Sequence, residues 1–102
     1  MPLIELTEKA QSDLDAIYEH YASHSGDHRA DTAIADIFES IEQLKIFKGM
    51  GRPSQAPDVR ELVLTRYPFI VAYHVAHETI SIVRILHERN ERNERNERNR
   101  DW

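Results

Sequence analysis

Residues 60–87 read R-E-L-V-L-T-R-Y-P-F-I-V-A-Y-H-V-A-H-E-T-I-S-I-V-R-I-L-H. Three runs rich in apolar, β-branched and aromatic side chains are broken only by Tyr67-Pro68 and by Ala76-His77-Glu78. Runs of this composition with such short breaks predict an antiparallel meander. They place strands over Val59–Leu64, Tyr67–Val75 and Thr79–Leu86, the middle one entered through a Tyr-Pro pair that keeps the backbone extended. The last two strands are apolar on both faces. A sheet with helices on one side needs apolar residues on one face only, so something further is expected to cover the other.

Upstream of the meander the pattern is helical. Leu3-Ile4-Glu5-Leu6 is a short apolar run, read as a first strand. Thr7 then offers an N-cap hydroxyl, and Glu8 sets negative charge at the positive end of a helix dipole. Ala10, Leu14, Ile17, Tyr18 and Tyr21 follow at spacings of three and four, one apolar face of a helix running to about His24. Ser25-Gly26-Asp27 breaks it, with Gly26 suited to a positive-φ position. Ala30, Ala33, Ile34, Ile37, Phe38, Ile41 and Leu44 form a second, broader stripe, which ends at Gly49-Met50-Gly51-Arg52-Pro53. The short joint predicts an antiparallel helical hairpin laid on one face of the sheet. The expected fold is therefore α+β, an N-terminal strand and a two-helix hairpin packed on a four-stranded, mainly antiparallel sheet over residues 1–87.

Residues 88–102 form a separate tail. Glu-Arg-Asn occurs four times in succession from Glu88 to Asn99, before Arg100-Asp101-Trp102. Glu88, Glu91 and Glu94 each have an Arg four residues on, a favourable helix ion pair. Asn at every third position opposes the helix, and nothing apolar is available to bury before Trp102. The tail is read as a solvated extension.

The chain of 102 residues is one small domain with a net charge of −5. The charge is unevenly divided, with −8 over residues 1–44 and +3 over 45–102. Halves of opposite sign suggest that one face meets an anionic partner. Cysteine is absent, which excludes disulfides, thiolate metal sites and cysteine nucleophiles. No apolar run is long enough to span a membrane, and no basic-then-apolar leader opens the chain, so a cytoplasmic protein is expected. Gly49 and Gly51 lack the Lys-Ser/Thr of a phosphate loop, and no serine has a recognisable His/Asp constellation. No cofactor is expected.

The order strand, two helices, three-stranded meander resembles the RelE/ParE superfamily of bacterial toxin–antitoxin toxins. The resemblance is carried by Gly49-Met50-Gly51-Arg52, Arg60-Glu61-Leu62, Pro68-Phe69-Ile70-Val71-Ala72-Tyr73 and Ile80-Ser81-Ile82-Val83-Arg84-Ile85-Leu86-His87. It spans residues 3–87. RelE-like members are ribosome-dependent mRNA endoribonucleases with clustered basic residues, whereas ParE-like members lack that catalytic set and poison DNA gyrase. The Gly-Met-Gly-Arg loop and the Tyr-Pro-Phe-Ile-Val-Ala-Tyr strand are similar to the ParE-like branch. That branch implies a gyrase inhibitor acting by binding, held in a hetero-oligomeric complex by a cognate antitoxin. The alternatives are an mRNA endoribonuclease acting on the ribosome, and a decayed toxin that retains only antitoxin binding.

On the gyrase reading, Arg60, Arg66, Arg84, His87 and Trp102 are the target-binding candidates. On the ribonuclease reading, Arg60, Arg66 and Arg84 would neutralise the scissile phosphate while His87 or Tyr73 handled protons. The plainer alternative is that the arginines sit on strand ends and pair with Glu61 or an acidic partner. Regular alternation puts Arg84 on the face of Ile80, Ile82 and Leu86, with His87 on the opposite face beside Val83 and Ile85, so the two would not converge. Ile34, Phe38, Phe69, Val71 and Tyr73 are the candidate antitoxin contacts, since such partners fold onto toxins across apolar grooves. His20 and His24 have the i, i+4 spacing of a metal clamp but no third ligand, so no metal site is expected. Removing three of the four Glu-Arg-Asn units restores an ending close to that of many relatives. The hypothesis is that an in-frame expansion moves Trp102 away from the fold. Equal potency of a one-unit variant in a growth-arrest assay would retire it.

Overall fold

A computed structural model describes residues 3–88. Strand β1 (Leu3–Leu6) leads into helix α1 (Glu8–Ser25), and helix α2 (Asp27–Glu42) follows after a single residue. Thr7 caps α1: its hydroxyl oxygen accepts the Ala10 N–H at 3.1 Å and donates to Val83 O at 2.9 Å. Gly26 joins the helices at φ 94°, ψ 162°, a conformation that a side chain would strain. Its N–H closes α1 on Ala22 O and its carbonyl opens α2 by accepting the Ala30 N–H. A 3₁₀ turn, Gln43–Lys45, ends the helical half.

The sheet contains β2 (Arg52–Pro53), β3 (Val59–Val63), β4 (Phe69–Ala76) and β5 (Thr79–His87), ordered β1-β5-β4-β3-β2. β1 is parallel to β5, and the other neighbours are antiparallel. Among the described residues five strands stand where four were expected. The additional one is β2, two residues opposite Glu61 and Arg60. It carries no run of its own and contains Pro53, which a sheet tolerates at an edge.

The helices cover one face. Ala10, Leu14 and Ile17 of α1 and Ile37 and Ile41 of α2 pack with Leu62, Phe69, Val71, Tyr73, Ile80, Ile82 and Ile85. Each large aliphatic side chain taken wholly from water there contributes about 1.5–3 kcal/mol. The alternation of β5 differs from expectation. Ala72 pairs with Arg84 and Tyr73 with Ile82, so Val83 is left over as a bulge. One extra residue reverses the faces beyond it. Ile85 therefore joins Ile80 and Ile82 in the core, and His87 lies opposite Phe69 on the same face, their rings edge to face at 5.7 Å.

The second face also departs from expectation. Ile70, Ala72 and Leu86 are buried within the chain itself, as is Glu61. Both faces of β4 and β5 thus contribute buried apolar side chains.

Candidate functional site

The basic candidates are held in separate places. Arg84 is drawn to α1: its Nε donates to Asp13 Oδ2 at 2.8 Å and its Nη2 to Oδ1 at 3.2 Å. Asp13 Oδ2 also accepts the Ile85 N–H at 2.9 Å. Asp13 lies three residues after Ala10 and four before Ile17, so it borders the apolar face of α1 that meets β5. Sequence reasoning passed over it. An Arg within an apolar strand, needing a charge partner, was the signal that could have found it.

Arg60 reaches the other end of the hairpin. Its Nη2 donates to Gly49 O at 3.2 Å and also bonds Gly51 O. Tyr73 works on the same loop from beneath, its hydroxyl donating to Lys48 O at 2.7 Å and accepting the Gly51 N–H at 2.9 Å. Residues 48–51 are thereby tied to the sheet, and Gly51 has no room for a side chain. A Cβ there would lie 2.8 Å from Glu61 O and from Tyr73.

Arg66 projects from the turn between β3 and β4 with its side chain 75% exposed, 3.8 Å from Asp36 Oδ2. The Tyr67 hydroxyl donates to that same oxygen at 2.6 Å. This hydrogen bond, helped by burial, pushes the Tyr67 pKa up to about 12. Asp36, on α2, is the anchor of this turn. His87 lines a cavity with Asp13, His20, Tyr21, Phe69 and Arg84. Arg84 and His87 thus border one cavity after all, since the bulge brings His87 to the helix side. Arg60, Arg66 and Tyr73 are absent from its lining.

The expected antitoxin contacts divide. Val71 and Tyr73 are wholly buried and Phe69 nearly so, all facing the helices. Their strand presents them to the core, and Phe69 also lines the cavity beside His87. Ile34 is half-buried against that core, and Phe38 is 37% exposed. A larger apolar surface went unread: Ile46 (74% exposed), Phe47 (61%) and Met50 stand in the connection after α2, and Val63 on β3 is also exposed. Helical spacing runs out before Ile46, so no periodicity marked it. Beside them a groove of about 390 Å³ is lined by Ser40, Gln43, Met50, Arg52 and residues 61–65.

His20 and His24 have ring centroids 4.4 Å apart, and His24 Nδ1 is 2.8 Å from His20 O. Among the described residues no three His, Asp or Glu side chains are grouped to hold an ion. No helix among them is long and apolar enough to cross a membrane. Trp102 and the Glu-Arg-Asn repeat beyond Glu88 lie outside the described residues.

The family model for the ParE toxin of type II toxin–antitoxin systems, parDE, matches residues 4–92. The Sinorhizobium fredii protein named "Putative toxin Y4kP" is 29% identical over 84 residues, which span 82% of this chain and 85% of that protein. A solved structure of a chromosomal ParDE system from P. aeruginosa matches with a TM-score of 0.78 at 42% identity. The match covers 85% of this chain and 96% of that one.

Proposed function

Because the chain belongs to the ParE family of type II toxins, we propose that it arrests growth by binding DNA gyrase and that a cognate antitoxin neutralises it. The observation that favours binding over RNA cleavage is the state of Tyr73. Its hydroxyl is buried and both donates and accepts within the 48–51 loop, so it is not free to exchange protons with a substrate. Arg60 bonds the carbonyls of the same loop, and Arg84 is matched to Asp13. These groups brace the fold.

Contact with the target then falls to Arg66, the most exposed of the candidate arginines, and to the cavity edge at Arg84 and His87, with Trp102 as a further proposed contact. Arg60 is better read as support for the loop than as part of that surface. The antitoxin surface is proposed to run from Ile34 and Phe38 to Ile46, Phe47 and Met50, where apolar side chains are exposed. Exposed apolar groups gathered on so small a domain mark an interaction site.

A supercoiling assay with purified toxin and gyrase, with and without ATP, tests the target, and total mRNA from induced cells is probed in parallel. Blocked supercoiling with intact mRNA is the expected result. Normal supercoiling with fragmented mRNA would move the protein to the ribonuclease reading. Co-expression of the antitoxin should restore growth.

A further inference from the structure

We propose that Trp102 folds back into the cavity between α1 and strands β4 and β5, seating its indole among His20, Tyr21, Phe69 and His87; what this does for target binding rests on the gyrase reading. The cavity walls are aromatic. His20 meets Tyr21 edge to face at 5.6 Å, Tyr21 meets Phe69 at 6.5 Å, and Phe69 meets His87 at 5.7 Å. All four rings line a space of about 330 Å³, together with Arg84 and Asp13. That volume lies at the small end of ligand sites, roughly 300–1,000 Å³. Arg84 and Asp13 cancel each other's charge, so the space suits a neutral aromatic group better than an ion. An indole has one polar atom, its N–H, and the Asp13 carboxylate on the wall is an acceptor for it.

The chain delivers such a group. β5 ends at His87, and Glu88 N–H donates to Pro68 O at 2.9 Å. His87 and Pro68 both line the cavity, so residues 89–102 set out from its rim. These 14 residues are Glu, Arg, Asn and Asp up to Trp102, the sole apolar side chain among them and the only tryptophan of the protein. Length is no obstacle, since 14 residues can span up to about 50 Å. A short tether also holds its end at an effective concentration on the order of millimolar. The protein's own indole therefore outcompetes one offered by a second copy or by a free partner.

The docking gathers the target surface. With the indole seated, Arg84, His87 and Trp102, three of the groups proposed to meet gyrase, stand in one patch. The Glu-Arg-Asn units then act as the tether that returns Trp102 to the fold.

Fluorescence of the single tryptophan reads the docking directly in the full-length toxin. Emission should lie to the blue of that from a peptide of residues 88–102, and acrylamide should quench it at least about threefold less than in the peptide. Ala16→Phe, which fills the cavity from an exposed position of α1, should restore peptide-like quenching. His20→Ala, also at an exposed position, should restore it in part, and circular dichroism checks that both variants stay folded. Quenching equal to that of the peptide would overturn the docking, as would protection that both variants leave intact. Protection that grows with toxin concentration would seat the indole in a second copy and also overturn it. None of these readings uses gyrase, so a shielded Trp102 in a toxin that leaves supercoiling untouched would remove the gyrase reading alone.

Discussion

One carboxylate oxygen of Asp13 accepts both the Arg84 Nε–H at 2.8 Å and the Ile85 N–H at 2.9 Å. β1 ends at Leu6, opposite Ile82, so β5 continues past the end of its neighbour. Asp13 takes the place that a further residue of β1 would have held. It satisfies a main-chain donor and a guanidinium with a single side chain, immediately after the Val83 bulge.

Asp13→Ala should therefore destabilise the fold by about 1–3 kcal/mol, the cost of stranding a buried donor. Asp13→Asn, which keeps an acceptor oxygen, should lose less. Urea unfolding of the three proteins checks the order.

Tyr73→Phe should cost about 1–3 kcal/mol, because the Gly51 N–H and the Lys48 carbonyl both lose their buried partner. Gly51→Ala should cost about the same by crowding Tyr73 and Glu61 O. The two changes act on one contact, so a double-mutant cycle should show a loss smaller than the two single losses combined.

Tyr67 supplies a pH signature. Its folded pKa, about 12, lies above the ordinary value of 10.0 because its proton is shared with Asp36. The unfolded chain gives up this proton first, so the contribution is fully present below pH 10 and is lost as pH rises towards 12. Tyr67→Phe should flatten that decline in unfolding experiments between pH 9 and about 12.

Surface and core apolar residues should separate cleanly. Phe47→Ser should change stability by no more than about 0.5 kcal/mol, yet weaken antitoxin binding at least tenfold. Ile37→Ala, in the wholly buried core, should cost about 2–5 kcal/mol. Paired denaturation and binding titrations distinguish the two outcomes.

Much of the architecture was readable because periodicity reports burial. The stripes of both helices, the break at Gly26 and four of the five described strands follow from it. What it missed has physical causes. The Val83 bulge reverses a face without altering composition, so Ile85 and His87 were placed on the wrong side. β2 is too short to show a period. Val71 and Tyr73 look like surface apolar residues in a two-faced strand, and only the packed helices reveal which face is inward. Asp13 and Asp36 are polar residues on helices, normally solvated, and their roles depend on Arg84 and Tyr67 arriving from strands far away in sequence.

Leu3 lies opposite Thr79 and Leu6 opposite Ile82, so the first strand cannot be seated until the last has been synthesised. A helical hairpin emerging from the ribosome has its apolar stripe ready and no sheet to lay it on. Closing so large a loop before its contacts can form makes assembly slow, and exposed apolar surface persists meanwhile. On the proposed function, that interval is one in which the antitoxin can capture the chain before it reaches gyrase.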